Sequence, residues 1–261
     1  MRIGTRRHAG CEEAAWQLIL AHGLDPDAAR DPGSADLAEL DQLQLVCGPD
    51  GLSLQGRGER GETLTLHLDF GHGRQGYRLA HAAHSREELA RALGHLPRGA
   101  RILDASGGLG RDSLMLAARG FRVTVLERHP VLATLLADAL RRARTRESLR
   151  STLDRIELVH AETGAWLENR EPEFDAAVFD PMFPARVKDA AVKKEMRILQ
   201  RLLGPDADGD AVATLDCLRR HVRQRVVVKR PLHAPTLGPQ EPAYALRGRS
   251  TRFDAYLPIP D

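Results

Sequence analysis

The sequence predicts an α/β fold, a mainly parallel sheet with helices on both faces, preceded by a small N-terminal α+β subdomain. Three observations carry that expectation. From Ala100 onward, short apolar runs alternate with segments that are apolar at helical spacing, the pattern of strands joined by crossover helices. One transition, Ala100 to Asp112 (ARILDASGGLGRD), runs from an apolar strand through Gly107, Gly108 and Gly110 into a helix. Such a loop lets a ligand approach the backbone and the first helical N–H groups. The first 80 or so residues lack the alternation and show a turn signal and period-two patterning instead. At 261 residues the chain suits one large domain with a smaller attachment, and the division is expected at residues 1–84 and 85–261.

Composition narrows the function classes. Lys plus Arg is 38 against 36 for Asp plus Glu, so a net charge of +2 gives no overall polyelectrolyte signal, and any nucleic-acid surface has to be local. Cys11, Cys47 and Cys217 are few, odd in number and widely spaced, which predicts neither a disulfide framework nor a metal cluster. His67, His72, His81 and His84 match no usual ligand spacing, and no metal is expected. The opening MRIGTRRHAG has no apolar leader region, and no apolar run approaches the roughly 18 residues of a membrane span. A soluble, cytoplasmic chain without a membrane partner is expected.

In the N-terminal part, Glu12 to Leu20 has the spacing of a short helix closed by Gly23, with Ala15, Leu18 and Ile19 on one face. Leu43 to Cys47 and Leu52 to Gln55 flank Gly48-Pro49-Asp50-Gly51, a turn sequence, and so predict a hairpin. Thr63 to Phe70 alternates, with Leu64, Leu66, Leu68 and Phe70 on one face of a half-buried strand. Ser85-Arg86-Glu87-Glu88 reads as a capping box opening a helix through Leu89, Leu93 and Leu96.

Beyond the glycine loop, a helix is expected over Ser113 to Arg119 with Gly120 as its cap, then a strand over Arg122 to Leu126 that ends at Glu127. Pro130 opens the next helix, whose buried face carries Leu132, Leu135, Leu136 and Leu140, and Arg141 to Arg155 reads as solvated. Ile156 to His160 and Ala176 to Phe179 are further strands. A helix with Val192, Met196, Leu199 and Leu203 as its stripe follows, then one with Leu215, Leu218 and Val222. Strands at Arg225 to Val228 and near Arg252 to Leu257 finish the chain.

Gly108 to Ser113 is close to the dinucleotide fingerprint, and Glu127 lies about the expected 20 residues on, so a nicotinamide oxidoreductase is one reading. Asp104 opposes it. A carboxylate at the end of the first strand repels a pyrophosphate but accepts from an ammonium group, such as that of S-adenosylmethionine. Glu127 is then placed to accept both ribose hydroxyls, and Glu162 and Thr163 to hold the adenine amine. Arg111 and Asp112, at the helix start, hold the loop or the methionine carboxylate. The stretch Asp180-Pro181-Met182-Phe183-Pro184 resembles the Asp/Asn-Pro-Pro-aromatic motif of class I methyltransferases that modify exocyclic base amines. Such an amine is a poor nucleophile because its lone pair is delocalised into the ring. Asp180 and the backbone around Pro181 can accept its two N–H groups while Phe183 stacks on the base.

DASGGLGRD, VLERHP, DPMFP, VKKEMR, GPD, RVVVKRP and RFDAY, in that order from about Leu79 onward, resemble the bacterial 16S ribosomal RNA guanine-N2 methyltransferase family. The resemblance implies a class I, Rossmann-like fold and methyl transfer from S-adenosylmethionine to a guanosine near the 3′ end of small-subunit RNA. It also implies cofactor contacts at Arg111, Asp112, Glu127, Arg128, Glu162, Thr163 and Asp180, beside Asp104 and Gly107 read from the strand end and the glycine loop, and 16S rRNA or the small ribosomal subunit as partner. Lys193, Lys194, Arg197, Lys229 and Arg230 are the RNA-contact candidates, the last two within an acid-free run, Arg219, Arg220, Arg223, Arg225, Lys229 and Arg230, that ends a central strand. An RNA-binding assembly factor that holds S-adenosylmethionine as a structural ligand is the competing reading.

Overall fold

The computed structural model describes residues 3–24, 43–58, 61–71, 88–181, 194–204 and 210–259. In chain order the elements are β1 (Gly4–Arg7), α1 (Glu13–Ala21), β2 (Gln44–Gly48), β3 (Gly51–Arg57), β4 (Thr63–His67), α2 (Glu88–Ala92), β5 (Arg101–Asp104), α3 (Arg111–Ala118), β6 (Arg122–Glu127) and α4 (Pro130–Ala143). There follow α5 (Glu147–Leu153), β7 (Ile156–His160), α6 (Thr163–Leu167), β8 (Phe174–Phe179), α7 (Lys194–Leu203), α8 (Ala211–His221), β9 (Val222–Pro231), β10 (Tyr244–Arg247) and β11 (Thr251–Tyr256). They form two compact units, one of Met1–Phe70, His129–Thr145 and Phe183–Ala207, the other of Gly71–Arg128, Arg146–Met182 and Asp208–Asp261. The expected division at residue 84 follows chain order, whereas the units do not, because α4 and α7 join the N-terminal sheet.

The first unit is built on a four-stranded sheet in the order β1-β2-β3-β4. Its hairpin turns at the expected Gly-Pro-Asp-Gly, and Leu64, Leu66, Leu68 and Phe70 are buried, as period two requires. Cys11 and Cys47 are joined as a disulfide, contrary to the expectation from their spacing. The parallel pairing of β1 with β2 sets Arg7 opposite Cys47, and the turn after β1 returns Cys11 to it. That pairing is long-range and leaves no local signature. The other histidine-rich positions, His72, His81 and His84, and the capping residues Ser85 to Glu87, lie outside the described residues, while His67 bonds the Asp50 carbonyl at 3.0 Å.

Helix α4 is attached to this sheet through a buried carboxylate. Asp138 is fully buried and accepts from the Leu52 N–H at 2.9 Å, from Arg141 at 3.0 Å and from Arg142 at 2.8 Å, and Arg142 also donates to the Leu68 carbonyl at 2.6 Å. The start of the arginine-rich stretch is therefore structural rather than solvated. Removing one partner of a buried ion pair leaves the other desolvated and unneutralised, so Asp138→Ala is expected to cost about 3 to 5 kcal/mol in urea unfolding. A loss below about 1 kcal/mol would show the cluster to be dispensable. In α7 the buried residues are Ile198, Leu199 and Leu202; of the expected stripe Leu199 is buried, Met196 and Leu203 are half-buried, and Val192 lies outside the described residues.

The second unit holds a seven-stranded sheet in the order β10-β11-β9-β8-β5-β6-β7. β5 to β9 are mutually parallel, and β11 inserts antiparallel between β9 and β10. β1 and β10 are strands that the sequence patterning did not indicate. Phe174, Ala177, Phe179, Val226 and Val228 pack with Leu215 and Leu218 of α8 into one core, while α3 contacts β6 and β7. Among the described residues no helix is long and apolar enough to cross a membrane.

Candidate active site

Sheet register assembles the site. Asp104 closes β5 opposite Val178 of β8, and Val178 lies opposite Val227 of β9. Side chains alternate faces along a strand, so Asp180 and Lys229, each two residues past that row, share a face with Asp104. The residues between, Phe179 and Val228, belong to the core on the α8 side. The Asp104 face is the one that α3 covers, since the Ser113 hydroxyl of α3 donates to Asp104.

Asp104 is 3% exposed and accepts from that hydroxyl and from the Ser106 N–H at 3.1 Å. Both donors are neutral. Burial raises its carboxyl to about 7, against the pull of the two hydrogen bonds, and Asp112 and Asp180 push it further the same way. A buried acid held, among the described residues, by neutral donors at a strand end suits a ligand that brings a positive charge.

The glycine loop folds onto the neighbouring strand. A Cβ added at Gly107 would lie 2.8 Å from Val125 and 3.2 Å from the Leu126 carbonyl, so only glycine permits this approach. The Gly108 N–H donates to Glu127 at 2.6 Å, and Gly110, at φ +69°, caps α3, which begins at Arg111 and Asp112. Glu127 is buried at the end of β6. One of its oxygens is thus engaged by the loop. Two buried carboxylates now end adjacent strands, which suits a cationic group and a diol and does not suit a pyrophosphate.

At the third strand end, Glu162 caps α6, accepting from the Gly164 N–H at 2.9 Å and the Ala165 N–H at 2.7 Å. The Thr163 hydroxyl donates to the Ala105 carbonyl at 3.0 Å. Any adenine contact here uses the lone pairs that the cap leaves over. Arg128 pairs with Asp210 at 3.3 Å. Asp180 donates its N–H to Ser106 Oγ at 2.7 Å, Pro181 beside it is buried, and Phe183 lies outside the described residues. Ser106 and Ser113 are site residues that the sequence reading missed. Their only signal is position, two residues after Asp104 and in the first turn of the helix.

The RNA-contact candidates fare differently. Lys229 lies 2.8 Å from Asp112 and 2.8 Å from Asp180, in the site itself. Arg230 is buried and donates through Nε and Nη2 to the Pro235 carbonyl, at 3.0 and 2.7 Å. Arg197 pairs with Glu62 at 2.5 Å, so it holds α7 to the N-terminal sheet. Lys193 lies outside the described residues, and Lys194 opens α7. The acid-free run is likewise structural at Arg219, which bonds the Leu257 carbonyl and Gln240, and at Arg225, which bonds the Tyr244 hydroxyl. Arg252 forms a buried two-pronged pair with Asp254.

A family model described as "Putative SAM-dependent methyltransferase" matches residues 34–258. The ribosomal RNA small subunit methyltransferase J of Alkalilimnicola ehrlichii is 42% identical over 252 residues, 94% of this chain and 92% of its own. The protein of that name from Salmonella newport is 38% identical and covers 100% of this chain and 99% of its own. The crystal structure of a SAM-dependent methyltransferase from Neisseria gonorrhoeae matches with a TM-score of 0.72 at 31% identity, over 98% of this chain and 96% of that one. S-adenosylmethionine is the methyl donor, and the buried, cation-seeking Asp104 and the Gly108-anchored Glu127 fit its ammonium and its ribose. With its 3-2-1-4-5-7-6 sheet read in order of strands from β5, the chain is a class I S-adenosylmethionine-dependent methyltransferase and belongs to the ribosomal RNA small subunit methyltransferase J family.

Proposed function

We propose that this chain methylates the exocyclic N2 of a guanosine near the 3′ end of 16S ribosomal RNA, in the cytoplasm. The observation that carries the reading is the bond from the Asp180 N–H to Ser106 Oγ. It ties the first residue of the acceptor motif to the loop that follows Asp104, so donor and acceptor sides share one frame, as an in-line transfer requires. The names of the relatives support small-subunit RNA as the substrate class. The choice of guanine N2 follows the motif resemblance.

S-adenosylmethionine, when bound, supplies an electrophilic methyl group. Asp104, Gly107, Arg111, Asp112, Glu127 and Arg128 are the residues proposed to hold it, with Glu162 and Thr163 at the third strand end. Asp180 and the backbone at Pro181 accept the N–H groups of the amine and turn its lone pair out of conjugation, and Phe183 stacks on the base. No strong base is needed, because the amine proton becomes acidic as the new bond forms. Lys193 and Lys194 are the proposed phosphate contacts.

Labelled methyl transfer into small-subunit RNA from a strain lacking the enzyme, followed by nuclease mapping, tests the reading. The expected product is one guanosine methylated at N2. Label on an adenine amine would overturn the choice of atom, and no label at all would favour the assembly-factor reading. In thermal-shift assays S-adenosylhomocysteine is expected to raise the melting temperature and NAD to leave it unchanged.

A further inference from the structure

Lys229 combines two observations that the proposed chemistry does not use. Phe179 pairs with Val228 across β8 and β9, so Asp180 and Lys229 follow as neighbours at one level of the sheet. On its other side the Lys229 backbone is held by pairing with Phe253 of β11. From this fixed base the ammonium reaches Asp180 at the end of β8 and Asp112 in the first turn of α3, at 2.8 Å each. One cation therefore joins the strand end that starts the acceptor motif to the helix that follows the glycine loop.

We propose that Lys229 is a positioning residue for methyl transfer: by binding Asp112 and Asp180 together, it holds the Asp180 carboxylate in the orientation that receives the acceptor amine. The proposal rests on the reading of Asp180 as the acceptor-side carboxylate. A lysine set aside for phosphate would have its ammonium in solvent, whereas this side chain is 32% exposed and shared between two acids.

The charges around Asp180 give the arrangement its consequence. Asp112 from α3 and Lys229 from β9 act on this group, and Asp180 in turn acts on Asp104 of β5. Desolvation pushes the Asp180 carboxyl above its ordinary value, Lys229 pulls it back, and Asp112 pushes it up again. Lys229 itself is held well above the usual lysine range by the two carboxylates, against desolvation, so it stays charged. Without it, Asp180 would meet only like charges from these elements, would take up a proton at higher pH and would lose its anchor.

The test uses the full chain carrying Lys229→Met or Lys229→Arg. Carbon-13 NMR titration of the aspartate carboxyls, without cofactor or RNA, is expected to show the Asp180 midpoint raised by about 1 to 3 pH units in Lys229→Met and largely restored in Lys229→Arg. With small-subunit RNA, kcat of Lys229→Met is expected to fall by about 100-fold, with KM for RNA nearly unchanged and the acid limb of the pH profile moved upward. An unshifted Asp180 midpoint overturns the proposal. So does a raised KM with unchanged kcat and a shallower salt dependence, the signature of a phosphate contact. Should Lys229→Met fail to fold, Asp112→Asn tests the same arrangement from the other side. Loss of its like charge is expected to move the Asp180 midpoint down, and no movement overturns the proposal. Asp180→Ala separates the two levels: full turnover there sinks the acceptor reading, whereas an inactive Asp180→Ala beside a Lys229→Met of normal kcat and pH profile sinks only the role of Lys229.

Discussion

Asp180→Ala is expected to lower methyl transfer to small-subunit RNA by about 1000-fold, with cofactor affinity reduced less than in Glu127→Ala. The expectation follows from the nucleophile. An exocyclic amine keeps its lone pair in the ring until an acceptor takes its N–H groups, and a charged acceptor fixed at a strand end does so without reorganising as the transition state forms. Asp180 has that fixity because its N–H is bonded to Ser106 and its carboxylate to Lys229. Asp180→Asn retains one acceptor oxygen but turns amide hydrogens toward an ammonium, so its rate should fall between wild type and Asp180→Ala. Single-turnover methylation, with calorimetric titration of S-adenosylhomocysteine, separates chemistry from binding. Wild-type turnover in Asp180→Ala would remove Asp180 from the acceptor role.

The second large effect concerns Asp104. Asp104→Asn is expected to weaken S-adenosylmethionine binding by about 10- to 150-fold, the range for a hydrogen bond to a charged group. In the wild type, affinity should fall as pH drops below about 7, where the buried carboxyl takes up its proton, and the variant should lose this dependence. The sign for stability is the opposite. The folded chain holds a proton on Asp104 up to about 7, while an unfolded aspartate has lost its proton near 4, so this group's contribution to stability falls as pH rises across that window. At pH 8 without ligand, Asp104→Asn should therefore melt at or above the wild-type temperature although it binds cofactor poorly. Calorimetry against S-adenosylhomocysteine and thermal melts between pH 5 and 8 read both effects. A pH-independent wild-type affinity over that range would contradict this account of Asp104.

The opposed effects at Asp104 indicate what the site costs the fold. A carboxylate 3% exposed and bonded only to a hydroxyl and an N–H is retained where a neutral side chain would fit with less desolvation. If Asp104 holds the cofactor as proposed, function and stability pull apart at that residue, and ligand binding reconciles them. Lys229 serves a similar purpose on the acceptor side, since it neutralises charge brought together by two strands and a helix.

The sequence by itself determined most of the succession of strands and helices, the glycine loop and the strand-end acids Asp104, Glu127 and Asp180, because periodicity, turn chemistry and a carboxylate at the end of an apolar run are local signals. It also predicted the hairpin at Gly48 to Gly51 and the class of the fold. Tertiary structure decided which partner each charged or thiol side chain takes. Arginines of the acid-free run became hydrogen-bond donors to loop carbonyls, Arg230 to Pro235 five residues on and Arg219 to Leu257. Cys11 met Cys47 through a parallel pairing between distant segments, and α4 is held at Asp138 by the N-terminal hairpin. Lys229 moved from a presumed RNA contact to the centre of the site because β8 and β9 align Phe179 with Val228. For the strand residues among these, Lys229 and Arg230, the physical reason is register. A long polar side chain on a strand can reach whatever register sets beside it, and register is a property of the assembled sheet rather than of any one strand.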